Sequence, residues 1–118
     1  MQEPTRDAQV AAVVRRFYRA FFDKDRASAE ALLGKAFTFS SPRDDHIDQS
    51  EYFRRCWPNS DRIDQFSEEK LAVLGNDTFL RYSARRVADG VRFRNVENIR
   101  VEDGKIVSVD VYFGRDLG

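Results

Sequence analysis

The chain has 118 residues, its 20 basic and 20 acidic side chains cancel at neutral pH, and 42% of it is hydrophobic. That length suits one domain, residues 1–118, able to take roughly two thirds of its unfolded surface out of water. The charge balance speaks against nucleic acid or an anionic membrane as partner. A single cysteine, Cys56, excludes an internal disulfide and every multi-cysteine metal site, so neither metal nor cofactor is expected. Residues 1–7 are polar and acidic where a signal peptide needs a basic start and an apolar run, and no segment has the length of a membrane span. A cytoplasmic protein is the expectation.

In chain order, Val10, Val14, Phe17 and Phe21 recur at helical spacing with Val13 and Ala20 beside them, while Arg15, Arg16 and Arg19 stay off the stripe. Thr5 is placed to cap that helix. A short second helix is predicted over 26–33, entered through Asp25 and closed by Gly34. Residues 37–40 alternate as a strand and Pro42 follows them; residues 43–47 read as an exposed polar loop. Asp48 and Glu51 have the offset of a capping box, which predicts a third helix over 49–56, stopped by Pro58 and anchored by Tyr52, Phe53 and Trp57. From about Gln65 the pattern is of strands, and residues 70–74 lead through a Gly75-Asn76-Asp77 turn into three alternating runs, 78–88, 91–101 and 105–113. The order of elements indicates an α+β fold: a curved antiparallel sheet wrapped around a long N-terminal helix, with two shorter helices.

The turn signals set a register. Asp89-Gly90 predicts a two-residue hairpin loop, which pairs Tyr82 with Glu97 and Ala84 with Asn95. One face then carries Leu80, Tyr82, Ala84, Phe93, Asn95, Glu97 and Ile99, with Arg86 toward its end; Phe79, Arg81, Arg85, Arg92, Arg94, Val96 and Arg100 face the other way. At Glu102-Asp103-Gly104 a two-residue loop would set Asp110 against Glu97, so a three-residue loop is expected. That loop places Val107, Val109, Val111 and Phe113 on the apolar face and Asp110, Ile106 and Tyr112 outside.

These residues resemble the nuclear transport factor 2-like superfamily, in its SnoaL-like and ketosteroid-isomerase-like branch. The resemblance spans nearly the whole chain. It is carried by Val13-Val14-Arg15-Arg16-Phe17-Tyr18, by Asp23-Lys24-Asp25, by Phe37-Thr38-Phe39-Ser40-Ser41-Pro42, and by Phe93-Arg94-Asn95-Val96-Glu97 running into Asp103-Gly104-Lys105-Ile106-Val107 and Val111-Tyr112-Phe113. It implies a cone with an apolar cavity open at one end, and a homodimer through the outer sheet face (Phe79, Arg81, Arg94, Val96, Asp110, Tyr112) in which the partner's acids offset the arginines. The ketosteroid isomerase pattern sets an aspartate base against a tyrosine and a protonated aspartic acid. By position, Phe17 stands in place of the helix-one tyrosine, Ser41 in place of the base, and Glu97 in place of the acid, so that route is not expected here.

Within such a cone Glu97 is the proton-transfer candidate, because burial disfavours its charged form and draws its pKa toward neutrality. Tyr82 would tune it and Asn95 would orient a ligand carbonyl or hydroxyl; the same three side chains would equally serve as a structural network. Arg86 either selects an acidic ligand at the mouth or points into water. His46, in a loop near the pocket entrance by the resemblance, is a catalytic candidate with Asp45, or simply a solvated side chain. Phe17, Phe21, Trp57, Tyr52, Val109 and Phe113 are the predicted apolar walls. The expected ligand is a small hydrophobic or amphipathic organic molecule. The expected activity is isomerisation, cyclisation or dehydration by acid/base chemistry, with a non-enzymatic binding or dimerisation module as the alternative.

Overall fold

The computed structural model describes residues 5–118. Helix α1 (Arg6–Phe22) starts where the Thr5 side chain accepts from the Ala8 N–H at 3.1 Å, and it buries Val10, Val13, Val14, Phe17, Tyr18 and Ala20. Helix α2 (Arg26–Leu32) is capped by Asp25, which accepts from Ser28 N at 3.2 Å. It stops one residue earlier than predicted, because Leu33 and Gly34 already belong to strand β1 (Leu33–Ser41). Residues 43–47 are not a free loop: Asp44–Ile47 forms strand β2, antiparallel to β1, with Phe39 opposite Ile47 and the Ser40 hydroxyl accepting from His46 N at 2.9 Å. Helix α3 (Gln49–Arg55) begins at Asp48, whose carboxylate accepts from Glu51 N at 3.0 Å. A 3-10 turn (Trp57–Asp61) with Pro58 in its first turn follows.

Strands β3 (Ile63–Leu74), β4 (Asp77–Arg86), β5 (Arg92–Glu102) and β6 (Lys105–Asp116) complete a curved six-stranded sheet in the order β2-β1-β6-β5-β4-β3. The pairing is antiparallel except between β1 and β6, which run parallel, so the sheet is mixed. Its concave side and α1 share one core built on Val14, Phe37, Leu80, Ile99, Ile106 and Val109, all essentially inaccessible to water. Among the described residues no helix is long and apolar enough to cross a membrane.

Both hairpins differ from the expected register; the first keeps its whole inward face, and the second keeps it from Val109 onward. In the β4–β5 hairpin, Tyr82 lies opposite Asn95 and Leu80 opposite Glu97, a shift of two residues from the expectation. The longer loop closes on its own bonds: Gly90 N donates to the Arg86 carbonyl at 2.8 Å and the Asp89 side chain accepts from Val91 N at 3.0 Å, while Val87 N extends the β3–β4 ladder to the Arg62 carbonyl at 3.0 Å. A shift of two leaves every side chain on its face. In the β5–β6 hairpin the loop is the two-residue kind, with Asp103 at φ 50° and Gly104 at φ 75°, the left-handed pair that such turns require. The clash this loop implied is relieved by a bulge: Val101 pairs with Ile106 but Arg100 pairs with Ser108, so Val107 is the extra residue. Asp110 therefore faces outward beside Asn98, and Val109 and Val111 face inward beside Ile99 and Glu97. The bulge also turns Ile106 into the core, where it is fully buried, rather than onto the outer face.

On that outer face four of the five arginines find acids within the chain, and Arg92 bonds the neutral Gln65 and Ser83. Glu69, in a bulge of β3, bonds Arg94 at 2.6 Å and Arg81 at 3.2 Å; Asp64 bonds Arg85 at 2.6 Å; Asp77 reaches Arg100 at 3.4 Å. Acids from a partner are not needed to offset them. The register sets Arg94 opposite Ser83 and Arg85 opposite Arg92.

Candidate functional site

Between α1, α3, the 3-10 turn and the concave side of β4–β6 lies a cavity of about 910 Å³. Phe17, Phe21, Phe22, Phe39, Tyr52, Phe93, Val109, Val111 and Phe113 give it apolar walls, and Glu97, Tyr18, Tyr82 and Asn95 give it a polar patch. Glu97 is 7% exposed. Tyr18 donates its hydroxyl proton to one oxygen of this carboxylate, and Tyr82 donates to the other at 2.6 Å. Asn95 Nδ2 donates to the Tyr82 hydroxyl at 3.2 Å, and its Oδ1 accepts from Gly114 N at 3.2 Å. The amide is thereby committed at both ends and acts as a support that aims Tyr82.

Gly114 is the foundation of that chain. A β-carbon there would fall on the Arg94 carbonyl oxygen and 2.9 Å from the carbonyl carbon, so only glycine lets the two backbones approach this closely.

Burial pushes the Glu97 carboxyl above the ordinary carboxylate range, against the pull of the two phenol hydrogen bonds. Among the described residues no cation pairs with it. Burial, and then the Glu97 charge, hold the Tyr18 and Tyr82 phenols well above their usual range, so both remain proton donors throughout the neutral range. Tyr52, packed among Phe17, Phe37, Phe39 and Phe53, is raised in the same way.

Tyr18 is the residue the sequence reading passed over. It is the α1 tyrosine that bonds Glu97, while Phe17 is an apolar wall that meets the Tyr18 ring edge-on at 5.7 Å. Its signal was present: Tyr18 follows Val14 by four residues and Ala11 by seven, at the border of the helical stripe.

A second polar group on the cavity wall was also missed. Asp44, with a side chain only 10% exposed, bonds Arg55 at 2.9 Å, accepts from the Ser41 hydroxyl at 3.0 Å and lies 3.8 Å from the Cys56 sulfur. Burial, then the Asp44 charge, pushes the Cys56 thiol up to about 12, so it packs as a small hydrophobe and is no nucleophile near neutrality.

Other predicted site residues take different places. His46 does not line the cavity; its ring is exposed and bonds Asp45 at 2.6 Å, because β2 turns it outward at φ 49°. Trp57 stands behind the wall, edge-on to Phe21 at 5.4 Å and against Phe53 at 5.3 Å. Arg86 does border the cavity, but its guanidinium is taken by Asp116 at 2.8 and 3.0 Å and by Asp89 at 3.2 Å. Among the described residues no three His, Cys, Asp or Glu side chains group together as metal ligands.

The SnoaL-like domain model matches residues 14–109, most of the chain. The chain belongs to the SnoaL-like domain family. No curated protein matches its sequence. Solved structures similar to this SnoaL-like chain include a nuclear transport factor 2-like protein of unknown function from Mesorhizobium loti, 24% identical, covering 96% of this chain and 97% of that one with a TM-score of 0.77. A second, from Cytophaga hutchinsonii and also of unknown function, is 23% identical over 97% and 95% of the two chains, with a TM-score of 0.74. An LEH-like epoxide hydrolase from M. tuberculosis is 16% identical over 95% and 83%, with a TM-score of 0.77. At these identities the likeness establishes the fold, a nuclear transport factor 2-like cone.

Proposed function

We propose that this SnoaL-like chain takes one small, largely apolar organic molecule into its cone and moves a proton on it, with Glu97 as the group that accepts and returns the proton. The observation that carries this reading is the setting of Glu97: a cavity-lining carboxylate held by two phenols with no cation beside it among the described residues. A carboxylate whose only role was structural would more economically face an arginine, as Asp64 and Glu69 do. Each carboxylate oxygen has a second lone pair beyond the one a phenol occupies, so the group keeps a place to receive a proton.

In the simplest step, Glu97 removes a proton from the carbon next to a ligand carbonyl. The electron pair of that C–H bond moves onto the carbonyl oxygen to give an enolate, and returning the proton at another carbon completes an isomerisation. Burial raises the carboxyl above the ordinary carboxylate range, which makes Glu97 a stronger base than an exposed glutamate.

Hydrogen–deuterium exchange into 2-tetralone, followed by proton NMR, tests the proposal. Native protein should accelerate exchange next to the carbonyl, and Glu97→Gln should abolish the acceleration while 2-tetralone still binds. Binding without any accelerated exchange in the native protein would leave a non-enzymatic binding module.

We infer further that two copies pair through the outer sheet face. Phe79 and Tyr112 are 41% and 61% exposed there, with Val96 between their strands. A cytoplasmic setting suits the one free thiol.

A further inference from the structure

We propose that the molecule bound in the cone is an organic acid, whose anionic group stays at the mouth between Arg43 and Arg62 while its apolar body reaches inward. The inference rests on the reading of the cone as a ligand pocket and names the class of ligand. It comes from matching the charges along the wall. Of the lining acids, Asp44 is bonded to Arg55 at 2.9 Å, Asp61 to Lys24 at 3.0 Å and Asp116 to Arg86 at 2.8 Å, while Glu97 is held by phenols. Those pairs consume Arg55 and Arg86. Arg43 and Arg62 also line the cavity, and among the described residues neither has a carboxylate within ion-pair distance.

Both are exposed as well as lining, which places them at the opening. Arg43, between β1 and β2, lies over the Phe113 ring of β6 at 5.8 Å, a contact that orients the guanidinium without using its N–H groups. Arg62, after the 3-10 turn, gives one nitrogen to Asn59 Oδ1 at 3.0 Å and holds Val87 through its backbone carbonyl. A guanidinium has five N–H donors in a fork that fits a carboxylate, so each has donors to spare. The deep end has the opposite character: Glu97 is buried there and would repel a second anion. An amphipathic acid is thus bound one way round, with its neutral polar end at the phenols and its charge in the wetter mouth. Arg86, the arginine that sequence alone nominated for this task, is occupied by the chain's own acids.

The test compares 6-hydroxy-2-naphthoic acid with its methyl ester and with 2-naphthol, by fluorescence titration of the full chain at low and high salt. The acid should bind about tenfold more tightly than the ester at low salt, an advantage of the size expected for two partly exposed ion pairs, and the gap should narrow with salt. In Arg43→Gln/Arg62→Gln the ratio of acid to ester affinity should fall to near unity. The ratio is insensitive to a general weakening of the cavity, and thermal melting verifies that the variant is folded. Equal binding of acid and ester to the native protein, or an acid preference that survives the double substitution, would overturn the inference while leaving the pocket intact. Failure of all three probes to bind would remove the pocket reading itself, and this inference with it.

Discussion

Tyr18 on the first helix and Glu97 on the fifth strand are hydrogen-bonded across 79 positions of sequence, and Tyr82 completes the pair of phenols by bonding the other carboxylate oxygen at 2.6 Å. The arrangement ties the helix to the sheet at the cavity floor. It also keeps a buried carboxylate satisfied without a counter-charge, which is what leaves that group free to exchange a proton.

Removing either phenol should therefore affect stability and protonation together. Tyr18→Phe and Tyr82→Phe should each cost about 1.5–3 kcal/mol, the range for a hydrogen bond to a charged group. Tyr82→Phe should be the more costly, because it also leaves Asn95 Nδ2 without its partner. Each should raise the Glu97 pKa further, since the lost bond was lowering it. Urea denaturation and carbon NMR of the Glu97 carboxyl report the two effects. An unmoved carboxyl titration would mean that the phenols do not govern its protonation.

Glu97 should leave a signature in the pH dependence of stability. Burial raises its folded pKa above the unfolded value, so between those two values the folded chain holds more protons than the unfolded one. Unfolding free energy must then fall as pH rises through that window and level off above it. Glu68 acts in the opposite sense: its hydrogen bond from Arg15 lowers its pKa, so its contribution is present above the ordinary carboxylate range and lost as pH falls. Subtracting Glu97→Gln from the native protein across a pH series cancels Glu68 and isolates Glu97. A difference that stays constant with pH would show that Glu97 titrates normally.

Gly114→Ala should be among the most damaging single-methyl additions to this chain. The new carbon collides with the Arg94 backbone, and moving β6 away breaks the Gly114 bond that fixes Asn95. A cost of roughly 3 kcal/mol or more is expected, at the upper end for one substitution, with a weakened Tyr82 contact as the local consequence. Thermal melting measures the first, and a tolerated alanine would show that β5 and β6 can separate here freely.

The proposed pairing of outer faces predicts that Phe79→Arg/Tyr112→Arg turns a dimer into a monomer in sedimentation velocity while leaving the cavity able to bind 2-naphthol. Both side chains are exposed in the single chain, so the substitutions disturb no core packing. A native protein already monomeric at high concentration would end the proposal.

The sequence by itself determined which residues of β4 and β5 share a face, where the helices begin, and that one carboxylate, a tyrosine and an amide look inward. These are local properties. Strand side chains alternate with period two, so the two-residue register shift at the first hairpin left Tyr82, Asn95 and Glu97 on the same side. The caps at Thr5, Asp25 and Asp48 act within three residues of themselves.

Tertiary structure alone decided the partners. Successive helix residues differ in direction by about 100°, so Phe17 and Tyr18 both border the buried stripe, and only the approach of β5 brings Tyr18 to Glu97. The second register rested on a bulge that keeps Asp110 away from Glu97. Which arginines remain available at the mouth depends on where Asp44 and Asp116 end up in space. Each of these choices is made by groups far apart in the chain, because a buried polar or charged group takes whichever partner the fold delivers to it.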